Sequence, residues 1–419
     1  MGGTNRNFSK SWLVGTTRFA VAAVAVSTLV ATPWVAWSAQ DQWTVAHARG
    51  APLAVESGLV SPSEGWVANG YNLYLTTNAG RSWRGIGPKE VANDDAVARM
   101  EQFFAKDGTH FWLTVDGVSL PAGRCFDGSC RGSAIESTTN AGRSWHKTYL
   151  PACLSCETAV SFLNDNVGFA VGFLSTGGPH STIRSYRTSD GGLTWAMAGT
   201  FTASAGPGSA TLAFPTTRNG WLVANELTSA VLFRTTDGGS KWSEVELPAL
   251  PTNDVVLHIS GPRFFGANDG LLATAVEDPV TQQDHDVIYT TSDGGSNWEA
   301  SVAPAIVANA SFDTDGTLSA SFASAKTWYI LAGKQLYVTR NAGQLWASSI
   351  PKAAWSHGPF QLDAIDFVNA TTGWADLIYN SCDGLPRSSP PPGCSNEIAL
   401  ASTSSAGHAW ALLSTESST

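Results

Sequence analysis

Eight residues, TTNAGRSW, stand at Thr76–Trp83 and again, letter for letter, at Thr138–Trp145. Relatives of the same octet follow: TSDGGLTW from Thr188, TTDGGSKW from Thr235, TSDGGSNW from Thr291, TRNAGQLW from Thr339 and TSSAGHAW from Thr403. The seven copies share the form Thr-x-(Asp/Asn/Ser)-(Gly/Ala)-Gly-x-x-Trp and start 47 to 64 residues apart. Self-similarity at that period marks an architecture of stacked supersecondary units, and blades of a propeller have this size.

Each octet reads as a corner between two strands. Short β-prone runs precede it (NLYL, IRSY, AVLF, DVIY, QLYV, EIAL), and after the Trp comes another short run, as in WSEVELP. Strand, glycine turn, strand is a hairpin. The third position, Asn78, Asn140, Asp190, Asp237, Asp293 and Asn341, offers a short acceptor for amides two residues on. The fifth is glycine every time (Gly80, Gly142, Gly192, Gly239, Gly295, Gly343, Gly407), as a left-handed backbone would favour. Trp83, Trp145, Trp195, Trp242, Trp298, Trp346 and Trp410 start the outgoing strands and are expected to bury against neighbouring β surface. The octets are therefore read as structural turns.

A second repeat lies upstream: Gly65–Trp66, Phe111–Trp112, Gly168–Phe169, Gly220–Trp221, Gly270–Leu271, Thr327–Trp328 and Gly373–Trp374. Each heads a short apolar strand and follows another. Every unit then reads as four strands, A to D, with the aromatic in B and the octet between C and D. Seven such units closing radially give an all-β, seven-bladed β-propeller, which leaves only short edges. From octet Trp to the next B-strand position the spacing is 24 to 30 residues, whereas from B position to octet it runs from 10 to 29. Variation is concentrated in the B–C connections. Because strands alternate direction, these lie on the face opposite the octets, and loops on a rigid scaffold are where binding usually lives.

The octet is identified as the Asp-box, or bacterial neuraminidase repeat, and the pairing of GW with TTDGGSKW is most similar to seven-bladed propellers of the photosystem II assembly-factor type. The resemblance runs over roughly residues 55–413. It implies the sialidase-like superfamily fold. It does not imply an activity, because sialidases, xyloglucanases and sortilin-type receptors share the box. Three boxes carry Asn and one carries Ser at the acidic position. The photosynthetic role is not carried over, since nothing in the sequence indicates a photosynthetic host.

Ahead of the repeats, Arg6, Lys10 and Arg18 precede an uncharged run, Phe19–Trp37, with small residues at Ala36 and Ser38. Residues 1–38 read as a signal peptide or an uncleaved N-terminal membrane anchor, 39–54 as a linker or closing strand, and 55–419 as the propeller. Gln42–Arg49 is a candidate outer strand for blade 7. Either reading of residues 1–38 places the propeller outside the cytoplasm: secreted, periplasmic or membrane-anchored. Any membrane contact is expected only through that segment, if uncleaved. Net charge is −10 with 24 Lys+Arg and no basic cluster, which excludes nucleic acid as a partner. Six cysteines fall in local pairs, Cys125/Cys130, Cys153/Cys156 and Cys382/Cys394, and an exported chain favours disulfides among them, with connectivity open. The alternatives are weaker: CLSC as a redox pair lacks a βαβ context, and zinc on Cys125, Cys130, Cys153 and Cys156 conflicts with an oxidising compartment. No metal and no cofactor is expected.

The longest B–C loops are Asp116–Ala134 in blade 2 and Tyr379–Glu397 in blade 7, flanking the short one of blade 1. They would form two cysteine-braced walls around a saddle. Glu277–Asp286 is a third, acidic insertion, read as a solvated loop. The candidate binding residues are Phe126, Asp127, Arg131, His285, Tyr379, Asp383 and Arg387. A protein client is the first expectation and a cell-surface glycan the second. Enzyme activity is disfavoured; the form it would take is glycoside hydrolysis, which needs two facing carboxyls. Loop-face acids such as Asp127, Glu157, Glu277 and Glu397 permit a pair, but the Phe-Arg-Ile-Pro motif of sialidases is absent, and GPRFFG around Arg263 does not replace it.

Overall fold

The computed structural model describes residues 56–413 except 69–70, 90, 92–97, 122–130, 155, 176–180, 204–208, 226–228, 249–254, 279, 281–283, 302–318, 333, 354–360 and 381–395. Residues 1–55, with the leader or anchor and Gln42–Arg49, lie outside the described residues. Among those described, no helix is long and apolar enough to cross a membrane.

The chain forms seven antiparallel sheets in sequence order, the blades of a propeller. Blade 1 is β1 (Glu56–Leu59), β2 (Gly65–Ala68), β3 (Leu73–Thr76) and β4 (Arg84–Gly85). Blade 2 is β5 (Arg99–Ala105), β6 (Phe111–Ser119), β7 (Arg131–Thr138) and β8 (His146–Thr148). Blade 3 is β9 (Glu157–Phe162), β10 (Gly168–Ser175), β11 (Ser181–Thr188) and β12 (Ala196–Ala203). Blade 4 is β13 (Ser209–Ala213), β14 (Gly220–Asn225), β15 (Ala230–Thr235) and β16 (Ser243–Val245). Blade 5 is β17 (Val255–Phe264), β18 (Gly270–Glu277), β19 (Asp284–Thr291) and β20 (Glu299–Ser301). Blade 6 is β21 (Ser319–Phe322), β22 (Trp328–Ala332), β23 (Gln335–Thr339) and β24 (Trp346–Ser349). Blade 7 gains a fifth strand: β25 (Lys352–Ala353) precedes β26 (Gln361–Phe367), β27 (Gly373–Asn380), β28 (Asn396–Thr403) and β29 (Ala409–Leu412). β25 lies parallel on the outer edge of β29, pairing Lys352 with Ala409 and Ala353 with Trp410. The connection from blade 6 thus adds an outer strand to blade 7 over these residues; Gln42–Arg49 lies outside the described residues.

Every box is the same corner. The Thr hydroxyl accepts the N–H of the fifth residue at 2.9–3.1 Å, from Gly80 through Gly407. The third side chain accepts the N–H of the seventh residue at 2.9 Å in all seven blades, Ser405 Oγ included. The acceptor therefore reaches four residues on and not the two expected, because two successive left-handed residues curl the chain back under it. The fifth-position glycines have φ of 74° to 90°, and the fourth position is left-handed too, at 56–57° in Ala79, Ala141, Ala342 and Ala406. That fourth amide donates to the A–B turn of its own blade: to Ser63, Thr109, Asn166, Arg218, Asn268, Lys326 and Thr371 carbonyls in turn. Boxes and A–B turns thus share one face.

The upstream repeat sets the radial packing. Gly168, Gly220, Gly270 and Gly373 each lie beneath the aromatic that closes strand A of the same blade; a Cβ would come within 2.3–2.7 Å of Phe162, Phe214, Phe264 and Phe367. The following B-strand aromatic stacks on the closing Phe of the next blade: Trp112 on Phe162 at 3.8 Å, Phe169 on Phe214 at 3.6 Å. In blade 6 the residue in this role is Tyr329, stacked on Phe367 at 3.6 Å, and not Trp328. Trp328 pairs with the box Thr339 as the glycines pair with theirs, and so occupies the glycine site. With a period of two, a one-residue offset exchanges the faces.

Candidate binding face

Strands A start, and strands B end, on the face opposite the boxes. The side chains described there converge where blades 2 and 3 meet. β6 carries a bulge between Val115 and Val118, with Gly117 left-handed at φ 74°. Arg131 on β7 donates from Nη1 to the Gly117 carbonyl at 2.9 Å, and Ser133 Oγ donates to Asp116 Oδ1 at 2.9 Å. Asp116 sits opposite Arg99, and β5 bulges between Met100 and Gln102, where Glu101 lies. Glu157 opens β9 beside them.

Glu101 and Glu157 feel burial and the charges beside them. Burial pushes Glu101 up to about 7; Arg99 pulls it back, and Asp116 and Glu157 add repulsion. Glu157 is likewise raised to about 7 by burial, then by Asp116. Groups poised near neutrality by desolvation and like charge are what functional sites assemble.

The segment before Glu157 holds this corner in place. Cys153 and Cys156 form a disulfide with Cα atoms 5.3 Å apart. Both are buried, and Gly172 leaves room for Cys153 Sγ, which a Cβ would meet at 2.3 Å. Ser133 N–H donates to the Leu154 carbonyl at 2.7 Å. From blade 3, Tyr186 Oη donates to Pro151 O at 2.9 Å and the Arg184 guanidinium donates to Ala152 O. The CLSC turn is thus a brace between blades 2 and 3.

Of the residues expected at the site, Arg131 is brought into this corner. His285 and Tyr379 lie on β19 and β27, opposite Val276 and Glu397. The solvated loop expected over Glu277–Asp286 is corrected at both ends, since Glu277, Asp284, His285 and Asp286 are ladder residues; hairpin pairing continues into the insertion. Phe126, Asp127, Asp383, Arg387, Cys125, Cys130, Cys382 and Cys394, and with them the saddle over blade 1, lie outside the described residues.

Sequence reasoning missed the residues on the inner edges. The residue opposite each B-strand aromatic forms one level around the axis: Gly58, Phe104, Ser161, Ala213, Arg263, Ser321 and Asp366. Inner edges present unpaired amides, and side chains at or near this level satisfy them. Ser161 Oγ accepts Phe214 N–H at 3.3 Å, Ser321 Oγ accepts Phe367 N–H at 2.8 Å, and Asp366 Oδ2 accepts Leu59 N–H at 2.8 Å. The last bond crosses the blade 7–blade 1 seam, which among the described residues is joined without strand exchange, helped by Ser57 Oγ donating to Asp376 Oδ1 at 3.1 Å. Burial raises Asp366 to about 6 against the opposing Leu59 amide and Arg263; burial lowers Arg263 to about 10, so it stays charged at neutral pH. The signal was available in blades 3 to 7 as the residue before the Phe that closes strand A, whereas blades 1 and 2 close with Leu59 and Ala105.

On the box face, Asp107, His110 and Asp165 each bring one ligand atom within 4.8 Å of the others. Lys106 Nζ sits 2.6 Å from Asp165 and 3.3 Å from Asp107, which supplies the cation from the chain itself. Asp107 Oδ1 also accepts Thr109 N–H and His110 N–H at 2.8 Å, so the group reads as an A–B turn.

Residues 137–332, from the box of blade 2 to strand B of blade 6, match the family model described as photosynthesis system II assembly factor YCF48. No curated protein matches the chain by sequence. Among solved structures, YCF48 bound to a D1 peptide aligns at TM-score 0.49 and 16% identity, covering 84% of this chain and 95% of that one. An ulvan lyase of polysaccharide lyase family PL25 aligns at TM-score 0.45 and 10% identity, covering 90% and 98%. A GH74 enzyme of Niastella koreensis aligns at TM-score 0.36 and 10% identity, covering 89% and 79%.

Proposed function

We propose that this chain, a seven-bladed Asp-box propeller resembling the photosystem II assembly-factor family, is a non-catalytic extracytoplasmic scaffold that holds a protein client on the face opposite its boxes. The observation that carries the reading is the braced corner of Glu101, Asp116 and Glu157. Two desolvated carboxyls, Glu101 and Glu157, beside the Asp116 carboxylate gain most from a lysine or arginine side chain brought in by a partner, since an opposite charge reverses the shifts that burial imposes on the two glutamates. A broad propeller face suits a polypeptide, and the assembly-factor match over residues 137–332 agrees in kind. The basic leader and uncharged run of residues 1–38 support export.

The test is crosslinking of the protein in its native cells, followed by mass spectrometry, for the parent and for Glu101→Gln/Glu157→Gln. A client linked through the blade 2–3 corner in the parent and depleted in the variant supports the reading. Protein crosslinks that are absent, or that map only to the box face, overturn it.

A second reading, glycan processing, is favoured by one observation: Glu101 and Glu157 near 7 have the protonation that a general acid needs at neutral pH. Hydrolysis or cleavage of a cell-surface polysaccharide by the parent, lost in Glu157→Gln, would favour it over the scaffold.

A further inference from the structure

The outer edges of the blades are not alike. β4 has two residues, β8, β16 and β20 have three, and β24 and β29 have four, with β29 covered by β25. β12 has eight, AMAGTFTA, paired with β11 from Ser181↔Ala203 to Arg187↔Ala196 with a bulge at Ala198, and its run beyond the bulge, Gly199–Ala203, is still longer than any other outer strand. Among the described residues no strand pairs with its other edge. Short strands, charged side chains, proline and bulges are how proteins blunt such edges, and β12 has only its one bulge near the N-terminal end. β4 carries Arg84, β8 His146 and Lys147, β16 Glu244 and β20 Glu299, but β12 has no charge and no proline.

This edge is held rigid. Gly199 packs on the box of blade 4, where a Cβ would lie 2.4 Å from Ser240 O. Phe201 packs on Phe233 at 5.4 Å and Trp242 at 5.7 Å. Met197 is 56% exposed, and Thr200 and Thr202 are exposed beside it. The result is an uncharged ledge about 17 Å long over Gly199–Ala203, at roughly 3.3 Å per residue, with a regular row of backbone donors and acceptors beyond the bulge at Ala198.

We propose that β12 is a strand-addition site, which takes an extended, uncharged segment of a partner polypeptide as a fifth strand of blade 3. The chain already completes blade 7 this way with β25. A backbone edge recognises another backbone, and the absence of charge on β12 selects a neutral segment. A second copy of this chain is disfavoured as occupant, since each carries a net charge of −10. The site lies on the outer rim and is independent of the loop-face reading.

The test is hydrogen–deuterium exchange of the full chain with an acetylated and amidated Thr-Val-Thr-Val-Thr-Val-Thr-Val peptide as probe. The control is the same peptide with proline at alternate positions. The expected result is fast exchange of the outward amides of 196–203 in the free protein, slowed about tenfold or more by the probe and not by the proline control. Met197→Lys/Thr200→Lys should abolish the slowing while the box amides keep their protection. Unchanged exchange with the probe overturns the proposal. So does protection in the free protein at every concentration, which would mean that the chain's own segments cover the edge. Protection that grows with protein concentration also overturns it, because a second copy would then be the occupant.

Discussion

Four boxes place alanine where three place glycine, in a backbone that penalises a Cβ. Ala79, Ala141, Ala342 and Ala406 sit at φ 56–57°, and Gly191, Gly238 and Gly294 occupy the same position at 71–76°. An L-residue in the left-handed region costs about 1–2 kcal/mol, and glycine gives back about 0.5–1 kcal/mol through its unfolded-state freedom. Each Ala→Gly replacement should therefore stabilise by about 0.5–1 kcal/mol. The four sites lie in different blades and share no partners, so their effects should add to about 2–4 kcal/mol. The converse set should cost more than the backbone term alone. A Cβ at Gly191, Gly238 or Gly294 would lie 2.8, 2.8 and 3.0 Å from the carbonyls of Asp165, Thr217 and Ala267. The assay is equilibrium guanidinium unfolding of the fourfold Ala→Gly variant and of Gly191→Ala/Gly238→Ala/Gly294→Ala, with the slope checked for constancy. Midpoints should move up and down respectively. A fourfold variant no more stable than its parent, together with a tolerant glycine set, would refute stored strain at the fourth position.

Asp366 gives a pH signature. Its folded value is about 6 against an ordinary 3.8, so the folded chain holds a proton that the unfolded chain releases. Its contribution is fully present below about pH 4 and is lost as pH rises through 6. Asp366→Asn keeps an acceptor for Leu59 N–H and removes that slope. Its stability relative to the parent should rise between pH 4 and 7 by on the order of 2–3 kcal/mol, and parallel unfolding curves would exclude a titrating seam. The disulfide is the other brace: Cys153→Ala/Cys156→Ala should cost about 2 kcal/mol for so short a loop. Gly172→Ala, which drives a Cβ into Cys153 Sγ, should lower the unfolding midpoint in the same direction; a neutral Gly172→Ala would mean that the CLSC turn shifts freely and braces nothing.

The propeller was legible because its determinants are local. A box is eight residues whose Thr, acceptor, glycine and Trp all act within one corner, so seven corners could be counted along the chain. Where reading failed, the information was held across strands. Trp328 looks like the blade 6 aromatic by adjacency to Thr327, and only its pairing with Thr339 moves the role to Tyr329. Glu277–Asp286 looks like a loop by composition, but strand continuation is decided by the partner strand, and Val276 finds His285. The acidic corner was missed for the same reason. Glu101, Asp116 and Glu157 are far apart in sequence, and they meet because two bulges and a disulfide turn bring strands A and B of neighbouring blades to one corner. The residue before the one that closes each strand A, a Phe in blades 3 to 7, lies between these extremes. Its periodicity is written in the sequence, yet its meaning appears only when the ring closes and that residue faces the inner edge of the next blade. Six positions there are small or apolar except for Arg263, and the seventh, Asp366, carries the seam. Among the described residues blades 7 and 1 exchange no strand, so side chains hold the interface between them, and a carboxylate accepting an edge amide is the stronger of the available acceptors. The cost is a buried charge that blades 3 and 6 avoid with Ser161 and Ser321. That trade explains why the one acidic residue of the level stands at the joint where the first and last blades meet.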